Sequence, residues 1–140
     1  MGELRWRWPT EEHGYTGTDR EAFVEAFAAW IVDHMATHIP FVAEVSGDIV
    51  GMAWLMLADR VPAPTRRHRR TGDVQAVYVV PEQRDSGVGA VLLEALLAEA
   101  SELGLEHVTV HSSRRAVTFY ERRGFEHDPT WLRWPPPPPT

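Results

Sequence analysis

A β-branched run that stops at a proline and reopens as a helix constrains this 140-residue chain more than any other feature. It reads Val77-Tyr78-Val79-Val80-Pro81-Glu82-Gln83-Arg84-Asp85-Ser86-Gly87-Val88-Gly89-Ala90-Val91-Leu92-Leu93. The pattern predicts a strand, a tight loop and a helix N-terminus. A helix start aims unpaired backbone N–H groups and a positive dipole end at whatever precedes it. Glycine lets a bulky anion approach the backbone closely, so the natural guest is a phosphate. The apolar spacing carries the helix from about Gly87 to Leu103, with Gly104 as its left-handed terminator.

Other phosphate loops fit less well. A Walker A loop ends in Gly-Lys-Ser/Thr, and this chain has no lysine. A dinucleotide fingerprint needs a third glycine where Leu92 stands. Cysteine is also absent, which excludes disulfides, thiolate zinc sites and a cysteine nucleophile. The net charge of −6 argues against nucleic acid as the main partner and is compatible with a cationic amine. No apolar run is long enough to cross a bilayer, and Met1–Trp6 lacks the apolar stretch of a signal peptide, so a cytoplasmic protein is expected.

The remaining elements follow from periodicity. Leu4–Trp8 alternates and reads as a first edge strand, and Thr10–Thr18 as a polar turn. Thr18 with Glu21 forms a capping box for a helix through Phe23, Phe27, Trp30, Ile31 and His34. Phe41–Val45 and Ile49–Leu57 read as strands joined at Ser46-Gly47-Asp48. Ala58–Gly72 reads as a loop, Asp73–Val80 as the strand entering the glycine loop, and Glu106–His111 as the strand after the long helix. Arg114–Arg123 predicts a short helix stopped by Gly124, with Phe125 packing back; Trp131–Trp134 predicts a last strand. Residues 1–134 then form one domain, and Pro135–Pro139 with Thr140 a proline-rich extended tail. The order is β-α-β-β-β-α-β-α-β, a mixed α/β (α+β) sheet whose Asp73–His111 unit is a right-handed parallel crossover.

Arg84, Gly87 and Gly89, with Ala90 behind, match R-x-x-G-x-G/A, and this segment resembles motif A of the GCN5-related N-acetyltransferase (GNAT) superfamily. Val110-His111-Ser112-Ser113-Arg114-Arg115-Ala116-Val117-Thr118-Phe119-Tyr120-Glu121-Arg122-Arg123-Gly124-Phe125 resembles the family's motif B, N-x-x-A-x-x-F/L-Y-x-x-x-G-F. Gly47–Ala53 is similar to its second hairpin, so the resemblance spans roughly Phe41 to Phe125, and it looks like a bacterial branch of small members. It implies the GNAT fold and an acetyl-CoA-dependent N-acetyltransferase acting on a primary amine of a small molecule or peptide by direct attack in a ternary complex. Acetyl-CoA is then the co-substrate and no metal is expected. A homodimer is compatible with the family's habits.

The resemblance also assigns roles. The loop residues Arg84, Asp85, Ser86, Gly87, Val88, Gly89 and Ala90 would hold the coenzyme pyrophosphate. The backbone of Val77, Tyr78 and Val79 would align the pantetheine arm. Tyr120 would be the general acid at the coenzyme sulfur, since a phenol stays protonated at neutral pH. Asp73 stands where some members carry a glutamate base; period-two geometry would put Asp73 and Gln75 on the face of Val77 and Val79. His111 or ordered water are the other candidates for the base. Two departures bear on affinity: Asp85 replaces a common glycine with a carboxylate, and Ser113 replaces the motif B asparagine near the pantetheine.

Trp6, Trp8, Trp30, Trp54 and the Ala58–Gly72 loop are candidates for an acceptor pocket. Arg66–Arg70 is a solvated loop or an anion contact, for the coenzyme 3′-phosphate or the acceptor. His34 and His38, at i, i+4, have zinc spacing without a third ligand. The alternatives are transfer of a longer acyl group and a non-catalytic acyl-CoA-binding or regulatory domain, which Asp85 and Ser113 mildly favour.

Overall fold

The computed structural model describes residues 1–14 and 17–140. Two helices, α1 (Gly2–His13) and α2 (Arg20–His34), precede three strands, β1 (His38–Val45), β2 (Asp48–Arg60) and β3 (Arg69–Val79). A 3-10 turn at Pro81–Gln83 leads to α3 (Val88–Glu102), β4 (Val108–Val110), a second 3-10 turn at Arg114–Ala116 and α4 (Val117–Glu121). The sheet order is β1-β2-β3-β4, antiparallel except for the β3–β4 pair. The mixed α/β class and the parallel crossover through α3 therefore agree with the sequence reading.

Two expected strands are absent among the described residues. Leu4–Trp8 lies in α1. Met1, Leu4 and Trp8 fall at helical spacing and pack together on the sheet beside Met52 and Tyr78. With so few apolar positions, period two and period 3.6 both fit the sequence. Trp131–Trp134 forms no strand because Asp128 captures the chain locally. Its carboxylate accepts from the Thr130 amide at 2.8 Å and from Trp131 Nε1 at 2.9 Å, which makes a turn in place of a ladder. Of the expected turn over residues 10–18, residues 10–13 belong to α1, and 15 and 16 lie outside the described residues.

Other boundaries shift modestly. Asp19, not Thr18, caps α2, and its side chain makes no capping bond. Pro40 sits inside β1, which an edge strand tolerates because one side needs no ladder bond. The β1–β2 hairpin turns at Ser46 and Gly47, with φ of 51° and 86°, the left-handed pair a two-residue turn requires. β2 and β3 extend well into the expected Ala58–Gly72 loop, leaving a short connection at residues 61–68.

The sheet is covered on both faces. Leu92, Leu93, Leu96 and Ala100 of α3 pack on Ala53, Leu55 and Val74, with Tyr120 of α4 joining them. On the other face Leu4 of α1 packs with Val50, Met52, Tyr78 and Val80. Phe23, Phe27 and Trp30 of α2 form a ring ladder with spacings of 5.7 and 6.0 Å, and Trp54 meets its end edge-on. α4 stops as expected: Gly124 has φ +93°, and the Phe125 ring sits 5.4 Å from Tyr120.

Candidate functional site

The site begins where β3 and β4 part. Their last rung is Val74 opposite Val110; β4 ends there and β3 continues to Val79. Immediately beyond that rung β3 carries a bulge. Trp54 pairs with Gln75 and Met52 with Tyr78, so Ala76 and Val77 together face the single residue Ala53. Ala76 holds φ +51°, a left-handed conformation that a side chain rarely adopts outside such a kink.

The bulge inverts the side-chain parity of the strand. Val74, Val77 and Val79 pack toward α3, while Ala76 and Tyr78 face α1. The expectation that Asp73 and Gln75 share a face with Val77 and Val79 is therefore wrong: one inserted residue moves every later side chain to the other face. Gln75 opens into a cavity on the α2 side. Asp73 lines neither cavity described below; its carboxylate accepts from Thr109 Oγ1 at 2.6 Å and from Gln75 Nε2 at 3.3 Å.

A groove of about 670 Å³ fills the gap between the parted strands. Its floor is Val77–Val79, one end is the loop Arg84–Asp85 with Gly87, Val88, Gly89 and Ala90, and its far wall is His111, Ser113, Phe119 and Tyr120. The α3 amides of Val88, Gly89 and Ala90 have no carbonyl one turn earlier in the helix, so the groove ends on free helical donors. Gly87 holds φ +87° as the residue before α3, a conformation glycine adopts without steric cost. A Cβ on Gly89 would lie in ordinary contact with the Phe119 ring at 3.6 Å and Val79 Cγ2 at 3.8 Å, both of which line the groove. Asp85 sits at φ +60°, which explains why a glycine is at home there. Four arginines line the groove: Arg84, Arg115, Arg122 and Arg123. An elongated, polyanionic group fits this set of donors and cations, and Asp85 is the one carboxylate among the described lining.

Arg84 is committed to the protein. Its Nε donates to the Val79 carbonyl at 2.9 Å, its guanidinium lies 5.5 Å above the Tyr78 ring, and it pairs with Glu11 at 3.4 Å. These contacts fold the loop back on β3, so Arg84 shapes the cradle. The Ser86 hydroxyl likewise donates to the Gln83 carbonyl within the loop. Tyr120 is buried, and burial raises its pKa, so the phenol remains a proton donor.

A second cavity, about 680 Å³, lies on the other face of the sheet. Trp8, Phe23, Phe27, Trp30 and Trp54 supply its rings, with Arg5, His38 and Gln75 as its polar side chains. Trp8 and Ala76 line both cavities, so the bulge is where the two adjoin. Trp6 is not part of it; its ring packs 5.7 Å from Phe23. Nor is the residue 61–68 connection. Arg66 and Arg69 of the arginine cluster pair with Glu106 at 3.2 and 2.7 Å, away from both cavities.

Arg115, Arg122 and Arg123 are groove residues not expected from the sequence, although two arginine pairs eight residues apart across a short helix were a readable signal. It also passed over Phe27 and His38 as pocket residues. His38 accepts or donates one hydrogen bond through Nδ1 with Thr37 Oγ1, at 2.8 Å. Partial burial lowers the His38 pKa below the usual imidazole value, with His34 adding repulsion from 5.7 Å. No cluster of three metal-ligating side chains occurs among the described residues. No helix there is long and apolar enough to cross a membrane.

Residues 3–125 match the family model described as the acetyltransferase (GNAT) family. The chain belongs to the GNAT acetyltransferase family. It is 35% identical over 97 residues to glucosamine 6-phosphate N-acetyltransferase of Trypanosoma brucei brucei, covering 69% of this chain and 60% of that protein. It is 34% identical over 83 residues to mycothiol acetyltransferase of Propionibacterium freudenreichii, covering 57% of this chain and 25% of that protein. The chain thus spans less than two thirds of the length of either relative. A Clostridium acetobutylicum protein described as a predicted acetyltransferase, solved with acetyl-CoA, superposes with a TM-score of 0.73 at 21% identity, over 96% of this chain and 86% of that one. This last likeness concerns the fold.

Proposed function

We propose that the chain is an acetyl-CoA-dependent N-acetyltransferase that acetylates a primary amine by direct attack in a ternary complex. The observation that carries the reading is the parting of β3 from β4 beyond Val74 and Val110, which opens a groove ending on the first turn of α3. Acetyl-CoA supplies the activated acetyl group as a thioester. The amides at the start of α3 and the loop around Gly87 hold the pyrophosphate, and Arg115 and Arg122 add positive charge for the phosphates, while Arg123 pairs with Glu94 at 3.4 Å. The β3 edge at Val77–Val79 aligns the pantetheine arm. The acceptor enters from the opposite face and meets the thioester at the bulge.

The amine nitrogen bonds to the acetyl carbon as the carbon–sulfur bond breaks. Tyr120, kept protonated by burial, delivers its proton to the leaving sulfur. The proton released by the amine passes through water in the acceptor cavity to His38, whose lowered pKa keeps it neutral near pH 7. Asp73, bonded to Thr109 and Gln75 outside the cavities, has no part in this scheme.

Titration calorimetry with acetyl-CoA, followed by thiol-release assays over a panel of amines, tests the reading. Binding and amine-dependent thiol release are expected. No binding at millimolar coenzyme would remove the claim. Binding without release over the panel would favour an acyl-CoA-binding domain.

A further inference from the structure

We infer that the acceptor is a flat, apolar primary amine, of the aryl-alkyl kind, seated in the corner formed by Phe27, Trp30 and Trp54. The inference rests on the acetyltransferase reading and adds the chemical class of the amine. The corner has a defined shape. Phe27 and Trp30 lie nearly parallel, 12° apart with centroids 6.0 Å from each other, and form one wall. Trp54 stands against both, at 67° to Phe27 and 75° to Trp30, with centroids 6.0 and 5.9 Å away. Trp54 is buried and closes the back of the corner, and His34 stacks on Trp30 at 4.2 Å, so a flat ring entering the cavity packs on the open flank of Phe27 and Trp30 in one of the arrangements aromatic pairs prefer.

The charges point the same way. Among the described lining residues the ionisable side chains are Arg5 and His38, and no carboxylate is present. The Arg5 guanidinium sits 5.4 Å from the Trp8 ring centroid, at the junction with the coenzyme groove. A polycationic acceptor would bring its further ammonium groups into a cavity with no anion and one guanidinium. A sugar phosphate would find that single guanidinium and apolar walls for its hydroxyls. An amine with one nitrogen places that atom at the Trp8–Ala76 junction and its apolar body in the ring corner.

The test pairs turnover with coenzyme-independent binding. Thiol release is measured with phenethylamine and 3-phenylpropylamine, against spermidine and glucosamine 6-phosphate, and each amine is titrated alone against tryptophan fluorescence. The expected result is at least a tenfold higher kcat/KM for the aryl-alkyl amines, with saturable quenching by them alone. Replacing half-buried Trp30 by Ala should raise their KM about tenfold while leaving the acetyl-CoA Kd unchanged. Phe27→Leu, which keeps the apolar volume, should do so more weakly. Turnover of spermidine or glucosamine 6-phosphate with neither turnover nor quenching by aryl-alkyl amines would overturn the class and leave the acetyltransferase reading standing. Quenching by aryl-alkyl amines without any thiol release would support the class and overturn transfer.

Discussion

The hydroxyl of Tyr78 on β3 donates to the Glu11 carboxylate on α1 and ties the first helix to the strand that floors the coenzyme groove. Glu11 also pairs with Arg7 at 3.0 Å and with Arg84 at 3.4 Å, so the contact joins α1 to the glycine loop. Burial and the Glu11 bond both raise the Tyr78 pKa. The folded state therefore holds this proton more tightly than the unfolded chain does. The associated stability is present below the unfolded value, about pH 10, and is lost as pH rises beyond it. Tyr78→Phe should cost about 1–2 kcal/mol near neutral pH and flatten the alkaline decline. Denaturant midpoints from pH 8 to 11 measure both, and an equally steep decline in the variant would place the titrating group elsewhere.

Tyr120→Phe removes the proposed donor and keeps the ring that packs between Phe119 and Phe125. kcat should fall about 100-fold, the lower end of the usual range for losing a proton-transfer group. The acetyl-CoA Kd should stay within about twofold by calorimetry. An unchanged kcat would refute the role.

Asp85 places a carboxylate in a groove otherwise lined with arginine, and holds a conformation that suits glycine. Asp85→Gly removes both costs. Two like charges about 4 Å apart in water repel by about 1 kcal/mol, so coenzyme affinity should rise about fivefold. The gain should shrink as salt is raised from 0.05 to 0.5 M, because exposed charges are screened. Weaker binding by the variant would mean that the carboxylate points away from the phosphates.

His38 must be neutral to accept a proton, and burial has lowered its pKa. The acid limb of kcat/KM should then lie below the ordinary imidazole value of about 6.5, with activity lost as pH falls through it. His38→Gln should lower kcat about tenfold and abolish that limb between pH 5 and 7. A limb that survives unchanged would assign it to another group.

Much of the site was legible because it is local. Val77–Leu93 encodes strand, loop and helix within one segment, and Gly87 and Gly104 mark where the backbone must turn left-handed. Tyr120, Gly124 and Phe125 likewise declare a short helix and its stop. The α1 segment was not legible, since Leu4, Trp6 and Trp8 fit strand alternation while Met1, Leu4 and Trp8 fit helical spacing. The arginines of the groove wall could be read as cations but not as neighbours of a loop thirty residues earlier.

What the sequence determined by itself is the crossover and its anion-binding helix start, since both follow from hydrogen bonds and dihedral preferences within a few residues. What only the tertiary structure decided is which side chains face the reaction. The bulge at Ala76 exists because β3 is held against β2 at Ala53, and that single extra residue sends Gln75 to one face and Val77 to the other. Strand pairing over a distance sets that parity. It leaves Asp73 outside both cavities and makes one junction, at Trp8 and Ala76, between the groove where β3 and β4 part and the cavity on the α2 side.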